Sequence, residues 1–274
     1  MNYKVKMILG LSILGGLIML CWVGSLISPY EPTTICLVDK NSPPSFSHWF
    51  GTDELGRDLL ARTLQGMRIS LSIGALAGFI DLLLGTLWGT ISGFSNNKVD
   101  AFMMRVAELI YSFPYVLVVI LASVILGKGV VPLLVAMICI GWIHMARVIR
   151  LLVREARCAD YVLAAHALGV RTPRLFFTHI FPNIVGPMLV ACMLSIPHAI
   201  FTEAFLSFLG IGIQPPTASL GSLIGDALPA MRFFPWRLIF PASFISLLIF
   251  SIMLLSDGLR DLYDPKKQIN GVAL

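Results

Sequence analysis

Five ionisable side chains interrupt otherwise apolar runs of this sequence: Asp81, Glu108, His144, His198 and Glu203. A charge in hydrocarbon is costly unless it is paired or hydrated, so such groups belong to proton relays, ion pairs or the walls of a polar path. Glu108 and His144 lie close to the expected ends of their helices, within reach of headgroups or water. Asp81, Glu203 and His198 are the candidates for a translocation path, and pairing with a partner subunit is the competing role for the two carboxylates. Familiar catalytic patterns are absent. Gly127 and Lys128 are followed by Gly129 where a phosphate-binding loop needs Ser or Thr, and there is no nucleophile elbow or H-E-x-x-H helix. Cys21, Cys139 and Cys192 sit in apolar runs, Cys158 in a basic stretch and Cys36 in a polar one. None has the short Cys or His spacing of a metal site. The expectation is a chain that is not itself an enzyme and binds neither cofactor nor metal.

The elements that carry these groups follow from the solvent the sequence implies. Of 274 residues, 57% are hydrophobic and 13% charged, and the mean hydropathy is +0.85. A soluble domain of this size needs far more charge on its surface. The net charge of +5 does not indicate nucleic acid, because the Lys and Arg residues flank apolar runs instead of clustering with aromatics. The class expected is all-α and integral to the membrane, with about six transmembrane helices and lipid as a partner. The first span covers Met7 to Ile27 and reads as uncleaved, being too long for the apolar region of a signal peptide. A proline-rich extracytoplasmic segment follows over 29–68. Further spans run from Ile69 to Phe94, Val106 to Leu126, Val130 to Ala146, Ile184 to Leu209 and Leu238 to Ser256, within a core of 69–258.

With six spans both ends share one side. The positive-inside rule makes that side cytoplasmic, because Lys4, Lys6, Lys98, Arg105, Arg147, Arg150, Arg154, Arg157, Arg171, Arg174, Arg260, Lys266 and Lys267 outweigh Lys40, Arg57, Arg62, Arg68, Lys128, Arg232 and Arg237 opposite. Residues 259–274 then form a cytoplasmic tail. In the second span Gly74, Gly78, Gly85, Gly89 and Gly93 recur at steps of four and seven and share one face, which lets another helix approach closely. Asp81 falls near the same face and is expected to point at protein. Pro114 and Pro197 are expected to interrupt their helices and bend them.

The stretch 147–182, between the fourth and fifth spans, is far longer than a helical hairpin needs. It reads as two short helices with a sharp turn, Gly169 stopping the first and Pro173 opening the second. Here the sequence resembles the cytoplasmic loop of ABC-importer permeases, whose pattern is Glu-Ala-Ala, three residues, Gly, nine residues, then His or Ile, x and Pro nearby. Leu163, Ala164, Ala165, Gly169, His179 and Pro182 occupy those places, with Arg171 and Arg174 alongside. Leu163 departs from the family's Glu. Two further stretches, from Gly51 (GTDELGRDLLARTLQGMRISL) and from Glu203 (EAFLSFLGIGIQPPTASLGSLIGDA, continued as SDGLRDLYDP), resemble the second permease of the oligopeptide, dipeptide and nickel branch, with Leu220 in place of Trp and Ser256 in place of Gly. From its residues alone, GTDELGRD reads as a charge-paired turn capping the bundle.

The resemblance implies a type I importer-like bundle with a cytoplasmic coupling helix, seated in a groove of a separate ATP-hydrolysing subunit. It also implies a homologous second permease in a heterodimer, two nucleotide-binding subunits that hold ATP and Mg, an extracytoplasmic binding protein, and the bacterial cytoplasmic membrane as location. The expected cargo is an oligopeptide or dipeptide, with nickel or a metallophore as the alternative. A proton-coupled carrier built on Asp81 and Glu203 is the rival from another class, although the sequence shows no internal repeat of the kind such carriers carry.

Overall fold

The computed structural model describes residues 3–127 and 129–263. Lys128, Lys266 and Lys267, and the tail from residue 264, lie outside the described residues. Those described form eleven α-helices: α1 (Tyr3–Ile27), α2 (Leu59–Phe94), α3 (Asn97–Tyr111), α4 (Tyr115–Leu126), α5 (Val130–Ile140), α6 (Trp142–Arg157), α7 (Asp160–Ala167), α8 (Thr172–Leu175), α9 (Phe181–Phe208), α10 (Leu220–Ala227) and α11 (Trp236–Tyr263). By length and composition five stretches can cross a bilayer, and six if the bent pair α3–α4 counts as one span. The chain is a multi-pass membrane protein.

Helix α2 is the spine. At 36 residues it extends roughly 54 Å, well beyond a hydrocarbon core of about 30 Å. It begins at Leu59, earlier than the expected span, because the Asp58 carboxylate caps it by accepting from the Ala61 N–H at 2.8 Å. It packs most extensively against α6 and then α9, while α1 packs chiefly on α11. Four apolar clusters fill the bundle, the smallest formed by Ala107 of α3 with Trp142, Ile143 and Ala146 of α6. Ile73, Ala77, Val119, Leu133 and Leu206 form one, Leu17, Leu64, Met67, Ile200 and Leu248 a second, and Ile149, Val153, Val162, Leu175 and Ile180 a third at the α7 end.

The two prolines singled out from sequence behave differently. At Ser112–Pro114 the chain turns through 72° between α3 and α4, since Pro114 offers no N–H to continue the ladder. Pro197 does not interrupt its helix: α9 runs through both Pro187 and Pro197. Membrane helices tolerate such prolines where neighbouring helices pack around them, and Pro197 is buried.

Candidate functional site: a helical elbow and its anchorage

The segment between the third and fourth span-length helices is an elbow. Helix α6 ends at Arg157, α7 follows after two residues, and Gly169 turns the chain with φ +83°. The turn is a Schellman motif. The Gly169 N–H donates to the His166 carbonyl at 2.9 Å and the Val170 N–H to the Ala165 carbonyl at 3.2 Å, with Val170 packed in the same apolar cluster as Ala165. Pro173 then opens α8, as its fixed φ favours. The second arm is not a short helix, however. Helix α8 passes through a π-helical turn at Phe176–Ile180 directly into α9, so 172–208 is one long element. The expected loop of 147–182 therefore narrows to α7 and its flanking turns, its remainder being the ends of two spans.

The expected coupling residues divide by face. Val162 and Ala165 point inward onto Ile149, Val153, Leu175 and Ile180. Ala165 is 8% exposed, so it serves the chain's own packing and is not on a docking surface. Leu163, Ala164, His166 and Ala167 are exposed on the other side, with Leu168 at 85%. Arg171, Arg174 and Pro182 are exposed, and His179 is half-buried. An eight-residue helix outside the spans and the turn that ends it thus present Leu163 and Leu168 outward while the helix's inner face is fixed to the bundle.

The elbow is fastened at its base by a polar cluster absent from the sequence reading. Asp100, in the first turn of α3, is 3% exposed. It accepts from the Arg150 guanidinium at 2.5 Å on both oxygens, from Arg154 at 2.8 Å and from the Ser92 hydroxyl at 2.5 Å. Arg157 donates to the Gly93 carbonyl at 2.7 Å and lies over the Phe94 ring. The signal was the spacing of Arg147, Arg150, Arg154 and Arg157, three, four and three apart on one helix face. Read only as a topology marker, that stripe gave no hint of its carboxylate.

The glycines of α2 meet two partners in succession. A Cβ on Gly74 would strike the Ile200 side chain, and one on Gly78 would lie 2.7 Å from Ile196, both on α9. On Gly85 it would lie 2.6 Å from Met145, on Gly89 2.5 Å from the Ala146 carbonyl oxygen, and on Gly93 2.9 Å from Val153, all on α6. Asp81 is buried between these halves, with its carboxylate oxygens 2.7 and 2.8 Å from where a Cβ of Gly141 would stand at the α5–α6 junction.

The other path candidates do not converge with it. Glu203 is 0% exposed and accepts from Ser70 at 2.6 Å and Ser207 at 2.8 Å, while Ser207 in turn accepts from the Ile213 N–H at 3.1 Å. This carboxylate ties α9 to α2 and to the turn after α9, and it faces no open surface of the chain. His198 of α9 is exposed, whereas both carboxylates are buried. Glu108 and His144 are exposed.

At the opposite end GTDELGRD folds as a buried cap. Asp53 accepts from the Leu55 and Arg57 N–H groups and from Arg57 Nε at 2.7 Å, and Arg62 lies 3.5 Å away. Asp58 pairs with His48 at 2.9 Å, not with Arg57. Asp226 of α10 faces Arg62 at 4.0 Å, and burial pushes its carboxyl pKa up against the pull of that arginine. Among the described residues no group of three or more His, Cys, Asp and Glu is arranged to hold a metal ion, and all five cysteines are free.

Comparison with known proteins places this geometry. The sequence pattern of the family described as binding-protein-dependent transport system inner membrane component matches residues 85–269. The oligopeptide transport system permease protein OppC of Bacillus subtilis (strain 168) is 47% identical, over 96% of this chain and 86% of that protein. The dipeptide transport system permease protein DppC of the same organism is 45% identical, over 94% and 81%. Among solved structures, a chain of the MetNI methionine ABC transporter has the same fold with a TM-score of 0.61 and 14% identity, covering 74% of this chain and 96% of that one. A chain of an amino acid ABC transporter gives 0.55 and 20%, covering 72% and 93%.

Proposed function

Because the chain belongs to the family of binding-protein-dependent transport system inner membrane components, we propose that it is one permease half of an ATP-driven importer for oligopeptides or dipeptides. The cargo reading is supported by the relatives, which are named as oligopeptide and dipeptide permeases, and those names do not favour nickel or a metallophore. A homologous second permease completes the path, an extracytoplasmic binding protein delivers the peptide, and both termini are cytoplasmic. ATP and Mg are held by two separate nucleotide-binding subunits, so this chain performs no chemistry of its own and binds no cofactor. Their closure on ATP moves the elbow, and the bundle alternates between outward and inward access.

The observation that carries this reading is α7 with the turn that ends it, outside the spans, where Leu163 and Leu168 are turned outward at 55% and 85% exposure. Burying such a leucine in a partner groove is worth about 1.5–3 kcal/mol, which gives a helix without the family's Glu an apolar grip instead. The test uses the assembled complex. Leu168→Asp together with Leu163→Asp should release the ATPase subunits during purification and abolish uptake of labelled peptide. Retention of the ATPases with normal uptake would refute docking through α7. Transport by this chain alone, collapsing with the proton gradient, would point to the carrier instead.

A further inference from the structure

We infer that Asp100 is the positioning residue of a transmission joint, which locks the elbow arm α6–α7 to α2 and α3 so that a displacement of α7 is delivered into the bent pair α3–α4. The inference rests on the docking reading of α7 and extends it to the route by which motion enters the spans.

The geometry is unusual for a surface ion pair. A carboxylate has about four acceptor sites, and all four at Asp100 are taken: Ser92 and Arg150 Nε on Oδ1, and Arg150 Nη2 and Arg154 Nη2 on Oδ2. Those donors come from two other helices. Arg150 and Arg154 stand four apart on one face of α6, whereas Ser92 belongs to the last turn of α2. The Arg150 contact is a bidentate fork, the arrangement that fixes orientation as well as distance. One buried side chain thus pins three helices together close to where α6 gives way to α7.

The pin matters because it is the hold on the first turn of α3; farther along, Ala107 packs in a small apolar cluster with Trp142, Ile143 and Ala146, and Arg147 lies over the Tyr111 ring. Of its fifteen residues only Asp100 and Ala107 are buried, and Phe102 and Leu109 are 69% and 60% exposed. By contrast α2 and α6 are already seated on each other along Gly85, Gly89 and Gly93, and Arg157 clasps the end of α2 through the Gly93 carbonyl. The arm and the spine therefore form one body through packing, while α3 joins that body through the charge cluster at its start and a small apolar cluster around Ala107 farther along. Beyond α3 the chain bends by 72° at Pro114. A push on α7 is carried by α6, handed to α3 at Asp100, and absorbed at that bend.

The experiment uses the complete complex in lipid nanodiscs, with peptide-loaded binding protein, and normalises every reading to assembled complex. Asp100→Asn keeps the shape and removes the charge. ATPase subunits should remain bound, because α7 is untouched, while peptide uptake falls at least tenfold and stimulation of ATPase activity by loaded binding protein is lost. Asp100→Glu should recover part of the coupling, and Asp100→Arg combined with Arg150→Asp should exceed both single variants. Where Asp100→Asn does not assemble, Arg150→Gln and Arg154→Gln take its place, with the larger uptake loss expected from Arg150→Gln, which removes the fork. Wild-type uptake and stimulation in Asp100→Asn, no rescue by the charge exchange, or equal effects of the two arginine variants would overturn the joint. Failure of the wild-type complex to retain ATPases through α7 is a separate result and overturns the docking reading with it.

Discussion

Replacing Gly89 by alanine would set a methyl group 2.5 Å from the Ala146 carbonyl oxygen, 2.8 Å from Ile149 Cβ and 3.0 Å from the Arg150 amide nitrogen. Two of those three atoms are α6 backbone, which cannot swing aside as a side-chain tip can. Relief requires α6 to move bodily away from α2, and the same movement strains the contacts of Gly85 and Gly93 on either side. Overpacking of this kind costs about 1–3 kcal/mol, with the upper part of the range expected here because backbone is involved. The alanine recovers up to about 1 kcal/mol of helix propensity, so the net loss for Gly89→Ala is about 1–2 kcal/mol. Gly89→Val should lose more. Gly15→Ala in α1 is the control, since a Cβ there meets nothing within 4 Å and the propensity gain stands alone. The assay is thermal unfolding of the purified complex in nanodiscs, where roughly 2–4 °C per kcal/mol is the scale for a chain of this size. If Gly89→Ala melts at or above Gly15→Ala, the close approach of α2 and α6 does not hold the bundle and the reasoning fails.

Two further outcomes can be measured on the same preparations. Glu203→Leu should orphan the hydroxyls of Ser70 and Ser207 at a cost of about 1–3 kcal/mol each, whereas Glu203→Gln keeps an acceptor and costs about 1 kcal/mol. Limited proteolysis after α9 reads the difference, and equal sensitivity of the two variants would show that the carboxylate does not secure that turn. For Asp226, burial raises the folded-state pKa above the ordinary carboxylate value. The folded chain then binds this proton more readily than the unfolded one, so stability from this group is fully present below the ordinary value and is lost as pH rises through the raised one. Its side chain is 46% exposed, so the effect is small. The melting temperature of the wild type relative to Asp226→Asn should rise on mild acidification, and parallel pH profiles would contradict the assignment.

Legibility followed the range of the interaction. Pro114 marks a bend because the missing N–H acts within one turn, whereas Pro197 looked equivalent and is carried through α9 by its packing. Asp53 and Arg57 were read as a local pair and are one at 2.7 Å, yet Asp58, equally near, pairs with His48. Ala165 matched the docking motif by position and turns inward, since in a short helix the face that meets the bundle is chosen by what the bundle presents. Glu203 looked like a path residue because a carboxylate in an apolar run is costly. The structure meets that cost with serines from α2 and α9, residue types too common to draw notice.

By itself the sequence determined the quantities that are local or additive along the chain: its solvent, the number of spans, the glycine face of α2, and the elbow at Gly169 and Pro173. Transfer free energy sums residue by residue, and a left-handed turn or a missing N–H is decided by one residue's own backbone. Only the tertiary structure decided which helix each face meets, which carboxylate the arginine stripe of α6 grips, and which expected site residues are turned inward. Those outcomes depend on pairs such as Asp100 with Arg150, whose attraction exists only once two distant helices have been brought together by the packing of everything between them.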